Sequence, residues 1–449
     1  MSGGATAANE AAVGATLDGL RNFRHNYWAP VLLGVIMLFD SWDAVAIAYA
    51  MPALSQDWHL DPLIMGLLIS AGFSGQFIGA VSLGAIAERY GRLPVCTVAA
   101  AIMSLLAIGC AFAPDYRTLL ILRFVQGIMI GGALPVAVTY VNELAPTATR
   151  GRYFGLFQTP AMAGMAIAAI SSAFIVPHYG WRWMLGLGAI PIILLPLVWL
   201  TLPESPRWLV RRGRLGDANR ALAKLGAPPV AFVDAAAVPT IQAARKSNLA
   251  TLFSPDLRRR TFTIIMLWAL TTFISNGLTN WVPSLYVKAF HMSVGRALTF
   301  SATTSSVMFV ALVISGQLVD RLGRRRLALL GLFFTFVPLL ALAGFRPPQD
   351  LVIFSAFLVA QTFSFFAIFA LWPYTAEIYP TNVRALGLGF GSSVGRASSM
   401  LMPILVGFVL SKGAPIQIVL AIFGLFAIGA FAVWITRTHE TAGVPLETS

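Results

Sequence analysis

A chain of 449 residues that is 57% hydrophobic and 11% charged, with a mean hydropathy of +0.77, is not a soluble domain, in which about a quarter of residues carry charge. Its formal net charge of +13 reads as membrane topology and contact with an anionic leaflet, with no case for nucleic-acid binding. The two cysteines, Cys96 and Cys110, lie in one apolar run and give neither a disulfide framework nor a metal site.

Residues 1–27 are polar, carry Arg21 and Arg24 and lack an apolar core, so they read as a cytoplasmic tail with no cleavable signal. A span needs about 20 mostly apolar residues, and twelve such stretches follow: 28–52, 63–87, 93–113, 118–142, 154–176, 183–202, 262–287, 297–319, 327–344, 351–376, 385–409 and 415–436. The polar break at 203–261 reads as a linker of short amphipathic helices between bundles 28–202 and 262–436, and 437–449 closes the chain as a second tail. With the N-terminus inside, inner segments hold 23 of the 31 lysines and arginines and outer loops hold six. That bias places both termini in the cytoplasm.

The first span holds "FDSWDAVAIAYAMPAL", in which Asp40 and Asp43 are three residues apart and share one helix face. Carboxylates that close in low dielectric do not both ionise easily, so at least one is expected to carry the proton of a coupled carrier. Greater depth favours Asp43. The alternative is an aspartate statically tied to a buried arginine. Arg123, opening the fourth span in "RFVQGIMIGG", is the other embedded cation and can cap the cavity wall by pairing with an aspartate. The second half holds neutral Asn276 and Asn280 in the matching place, so a single proton site is expected.

Arg396 lies in the eleventh span within "GFGSSVGRASSMLMP". A guanidinium at mid-span offers a planar fork for a carboxylate, and the small residues around it leave room for a ligand. Its alternative is an ion pair with Asp40 or Asp43. A planar substrate also needs aromatic walls. Trp42, Phe73, Tyr140, Trp281, Tyr286, Phe365, Phe369, Trp372 and Tyr374 are candidates, with Gln158, Asn276 and Gln361 as polar handles. Pro373 is expected to break its helix.

The halves repeat. "GAIAERYGRL" at 84–93 returns as "GQLVDRLGRR" at 316–325, an offset of 232 residues, and Glu143 returns as Glu377 at 234. Parallel six-helix repeats imply a rocking carrier with its site near the midplane. The paired loops put Glu88, Arg89, Arg92, Glu143, Arg150, Asp320, Arg321, Arg324, Glu377 and Arg384 at one face, where individually weak ion pairs suit a gate between near-balanced states.

These repeated motifs are the signature of the major facilitator superfamily, which the whole chain resembles. "LPESPRWLVRRGRLGDANRAL" at 202–222 is similar to sugar porters and organic anion and cation transporters, and "DSWD" resembles the D-G-x-D motif of bacterial aromatic-acid/proton symporters. Bacterial nicotinate transporters combine these features best. The resemblance implies an all-α membrane protein, twelve helices in two pseudo-twofold-related bundles, and import across the bacterial inner membrane of an aromatic monocarboxylate with protons, with Arg123 supporting proton movement. A sugar porter would not want Arg396, and an organic-cation porter would prefer an acid there. Expected partners are a small organic anion, protons and lipids, with the chain acting as a monomer. No nucleophile–base set supports an enzyme, and no cofactor or metal is expected.

Overall fold

The computed structural model describes residues 3–19, 27–233, 249–345, 349–381 and 383–442. Its first half runs α1 (Gly3–Asp18), α2 (Trp28–Asp57), α3 (Pro62–Tyr90), α4 (Arg92–Ala111), α5 (Tyr116–Leu144), α6 (Arg150–Tyr179), α7 (Trp181–Gly186) and α8 (Pro191–Thr201). The linker contributes α9 (Pro206–Arg211), α10 (Leu215–Lys224) and α11 (Leu249–Leu252). The second half holds α12 (Arg258–Lys288), α13 (Val294–Leu322), α14 (Arg324–Gly344), α15 (Asp350–Ile378), α16 (Arg384–Ser411) and α17 (Ile416–Arg437). Twelve stretches are long and apolar enough to cross a membrane, with α7 and α8 together making the sixth. Up-and-down connection gives a linker face, bearing α1, α9, α10 and the chain end after α17, and an opposite, far face.

Local chemistry sets the far-face turns. Asp61 accepts the Leu63 amide with Pro62 in the first turn of α3, Asp115 accepts that of Thr118 at α5, and Ser293 that of Arg296 at α13, each an N-cap holding an otherwise unpaired donor. Glycine governs the packing of α3 on α5. A Cβ at Gly75 would meet the Phe124 carbonyl oxygen at 2.1 Å, and one at Gly127 would meet that of Gly72 at 2.2 Å. The backbones touch there, as small residues permit in membrane helices.

Two expectations change. The polar segment before the first span contains a helix: α1 buries Val13 and Leu17 and packs on α9. Pro373 does not break its helix, since α15 runs from Asp350 to Ile378 through it. Neighbouring helices and local adjustment accommodate the backbone that a proline frees in a membrane helix, so the Phe369 carbonyl, which loses its i+4 donor to Pro373, does not end α15.

The halves meet through α3 on α16, α6 on α13 and α2 on α12. Their tight approaches lie toward the far face. A Cβ on Gly66 would sit 2.2 Å from the Pro403 carbonyl oxygen, and one on Gly407 would sit 2.5 Å from that of Pro62. Lys288 donates to the Leu60 carbonyl at 3.0 Å, and the Tyr49 and Ser305 hydroxyls share a hydrogen bond of 3.0 Å across the interface. The far face is therefore closed.

Candidate functional site

Near mid-span in α2, Asp43 is 1% exposed and fully engaged. Arg123 of α5 donates from Nη1 to Asp43 Oδ2 at 2.7 Å and from Nη2 to the Asp43 carbonyl at 3.1 Å. Gln126, one turn on, donates to Asp43 Oδ1 at 3.0 Å and accepts from Arg123 Nη1 at 2.9 Å. Of the two readings of Arg123, its pairing with an aspartate is what the structure contains. Gln126 went unnoticed in the sequence, although its place one turn after Arg123 on an apolar helix was the available signal.

Asp40, one turn earlier on α2, is also buried, and among the described residues its Oδ1 has no hydrogen-bond partner. A buried carboxyl without donors pays its desolvation alone. The pair thus divides into one aspartate locked to a cation and one left over.

Across the interface, Arg396 of α16 is half-buried. It reaches only Ser392, at 3.5 Å, and among the described residues no carboxylate lies within ion-pair distance of it, so the alternative of a pair with Asp40 or Asp43 is absent here. Asn276 of α12 donates to Ser399 at 2.8 Å, one turn beyond Arg396, and Asn280 donates to the Asn276 carbonyl at 2.7 Å. Asn276 and Ser399 therefore join α12 to α16 one turn from Arg396. Towards the far face, Gln361 joins Tyr49, Thr279, Ser301 and Ser305 around a small polar cavity.

The other predicted ring and handle residues divide. Phe73, Phe365, Phe369 and Gln158 are half-buried, and Trp372 is exposed, its ring edge-on to Trp268 at 4.9 Å. Trp281 is buried, its indole nitrogen unpartnered. The other four are engaged in packing contacts. Trp42 is buried and donates to the Met184 carbonyl of α7 at 3.2 Å. Tyr140 is buried at the linker end, bonded to the Pro203 carbonyl at 2.5 Å, and Tyr374, its repeat counterpart, packs on Trp434 with centroids 4.7 Å apart. Tyr286 sits edge-on to Phe300 and Phe357 in a sealed aromatic cluster. Each serves helix packing instead, a use that an aromatic in an apolar span does not announce.

At the linker face, Arg92 bonds Glu88 at 2.6 Å and lies 3.5 Å from Glu143, which also takes Arg211 of α9 at 2.5 Å. The second half repeats the plan: Arg324 meets Asp320 at 3.1 Å and Glu377 at 2.9 Å. None of these pairs joins the two halves. Among the described residues Arg89, Arg150, Arg321 and Arg384 are in no ion pair, Arg89 resting over the Tyr90 ring and Arg384 donating to Thr381 at 3.3 Å. Two acids missed in the sequence complete the plan. Gly91, at φ +112°, and Gly323, at φ +87°, make room for carboxylates that cap the next helix. Glu204 accepts from the Leu93 amide at 3.3 Å, while Glu440 accepts from Arg324 and Arg325 amides at 2.8 and 3.2 Å. Burial pushes the Glu204 carboxyl up, against the amide hydrogen bonds that favour its anion.

Residues 34–449 match the model of the "Sugar (and other) transporter" family. The chain belongs to that family, within the major facilitator superfamily. This transporter is 32% identical to the niacin transporter NiaP of Acinetobacter baylyi, covering 96% of its own length and 98% of the relative's. It is 30% identical to the gallate transporter of Pseudomonas putida, covering 91% of each. Its fold matches the inward open conformation of the xylose transporter XylE from E. coli with a TM-score of 0.71 at 18% identity, over 95% of this chain and 98% of that one. It is a multi-pass membrane transporter and not an enzyme.

Proposed function

We propose that the transporter imports an aromatic monocarboxylate such as nicotinate or a benzoate across the bacterial inner membrane in symport with protons, with the linker face in the cytoplasm. The observation that carries this reading is Arg396, a half-buried mid-span cation that no described carboxylate neutralises. An unpaired guanidinium in low dielectric gains most from a carboxylate that it grips with two hydrogen bonds. The names of the niacin and gallate transporters point to the same chemistry.

In this mechanism Asp40 carries the proton. Asp43, held by Arg123 and Gln126, sets the local field, which reverses the order that depth in the span suggested. A proton neutralises Asp40 and the anion meets Arg396, with Asn276 beside it and Phe365, Phe369 or Trp372 against the ring. The far face then closes as observed, through Gly66 on Pro403 and Tyr49 on Ser305. Among the described residues Arg89, Arg150, Arg321 and Arg384 are free of ion pairs in this state. Glu88 and Asp320 present side chains 62% and 73% exposed, so cross-half pairs form when the linker face closes in turn. Neither ligand shifts the cycle by more than its differential affinity for the two states.

The match to a family of sugar and other transporters favours a second reading, a sugar, and one experiment separates the two. Only a ligand of the native state raises thermal stability, by an amount that grows with its concentration over Kd. Nicotinate should stabilise the purified transporter where nicotinamide and xylose do not, and Arg396→Ala should erase the preference for the acid. Stabilisation by xylose, or an acid preference that survives Arg396→Ala, overturns the proposal.

A further inference from the structure

Away from the midplane, the linker helices and the ends of α3 and α4 border an open cavity of about 290 Å³ at the linker face. Tyr90, Pro94, Pro203 and Trp208 form an apolar and aromatic wall; Arg214, Arg220 and Lys224 form the opposite, cationic one. Two acids also line it, and both are already committed. Glu204 accepts the Leu93 and Ser205 amides. Asp217 is shared by Arg214, at 2.6 Å, and Arg220. Two guanidiniums thus divide one carboxylate, and among the described residues Lys224 has no partner. Asp217, Arg220, Ala221 and Lys224 follow the i, i+3, i+4, i+7 rule, so α10 turns one face to the cavity.

We propose that this cavity binds a phosphate-bearing anion. Guanidinium forks fit phosphate oxygens bidentately, and three cations around one orifice exceed what the acids within it neutralise. The cavity lies where α3 ends and α4 begins, the level of lipid headgroups, and carries the Tyr and Trp that favour that level. A phospholipid headgroup and a free phosphate ester share this chemistry.

The test is thermal unfolding of the full-length transporter in detergent with dioleoylphosphatidylglycerol, dioleoylphosphatidylcholine or inorganic phosphate. Wild type should be stabilised by the anionic lipid and not by phosphatidylcholine. The double variant Arg220→Gln/Lys224→Gln should bind it at least about tenfold more weakly, and Arg258→Gln/Arg259→Gln, exposed on the same face outside the cavity, should behave as wild type. Stabilisation by inorganic phosphate with the same loss in the double variant also supports the site and identifies a soluble ester as its ligand. The unfolding temperature in phosphatidylcholine shows whether the double variant folds; if it does not, Lys224→Gln alone, which removes no intramolecular ion pair, gives the comparison. No stabilisation by either anion, or a shift that the cavity variants leave unchanged, overturns the proposal.

Discussion

At the scale of single residues, the two aspartates of α2 are chemically unlike although they differ by one helical turn. Asp43→Asn strips the carboxylate from Arg123 and leaves a buried cation, a change that costs about 3–5 kcal/mol. Asp40→Asn removes a buried acid with no hydrogen-bond partner on Oδ1 and should leave stability within about 1 kcal/mol of wild type. Thermal unfolding of both variants in one detergent checks this contrast, and equal losses would refute the division of roles. The sequence displayed the aspartates and Arg123 plainly, because charges in apolar spans stand out. It hid which carboxylate was paired, since that depends on where α5 passes α2, and it hid Gln126 for the same reason. The aromatic candidates were the least legible, because Trp42, Tyr140, Tyr286 and Tyr374 obey the same composition rule whether they pack a helix or line a cavity.

At the scale of elements, the α3–α5 seam allows no side chain at its glycines. Gly127→Ala must push the backbones apart and should cost about 1–3 kcal/mol, read as a lower unfolding temperature, whereas Gly155→Ala, with open space at its Cβ, should cost no more than about 0.5 kcal/mol. The docking of α1 is tied by polar contacts that polarity alone suggested were a tail. Asn9 exchanges two hydrogen bonds with the Val233 backbone, Glu10 pairs with Arg211 at 3.1 Å, and Asp18 accepts the Thr147 amide at 2.6 Å and its hydroxyl at 2.9 Å. The Thr147 amide foremost holds the Asp18 carboxyl below its usual value. Docking therefore gains from the ionised form at pH above about 4, and that gain is lost as pH falls through the depressed folded value. Proteolysis of α1 should quicken on acidification in wild type, and Asp18→Asn should be cleaved quickly across the whole range; a wild-type rate independent of pH would contradict this role. Span number was legible because twenty apolar residues have one use, and α1 was not, because its stability rests on the linker beneath it.

At the scale of the whole molecule, the far face closes by backbone contact. Gly66→Val places a side chain against Pro403 only when that face is shut, so it should favour the open state without unfolding either half. A cysteine introduced by Ser305→Cys should then react faster with a membrane-impermeant maleimide, the native Cys96 and Cys110 being buried; an unchanged rate would mean that the seam is not the gate. The internal repeat made the paired loop networks readable through Glu143 and Glu377. Their closing pieces, Glu204 and Glu440, follow the last span of each half at an offset of 236 residues, and only the structure shows both capping the first turn of α4 or α14. What distinguishes this carrier from a symmetric one is that the buried mid-span aspartates sit in the first half and Arg396, which no described carboxylate neutralises, sits in the second. The most direct measurement is nicotinate uptake into proteoliposomes with and without an imposed inward proton gradient, for wild type and Asp40→Asn. A proton-coupled carrier accumulates nicotinate above equilibrium only with the gradient, while Asp40→Asn equilibrates it without accumulation; accumulation that ignores the gradient, or that Asp40→Asn retains, would contradict the assignment.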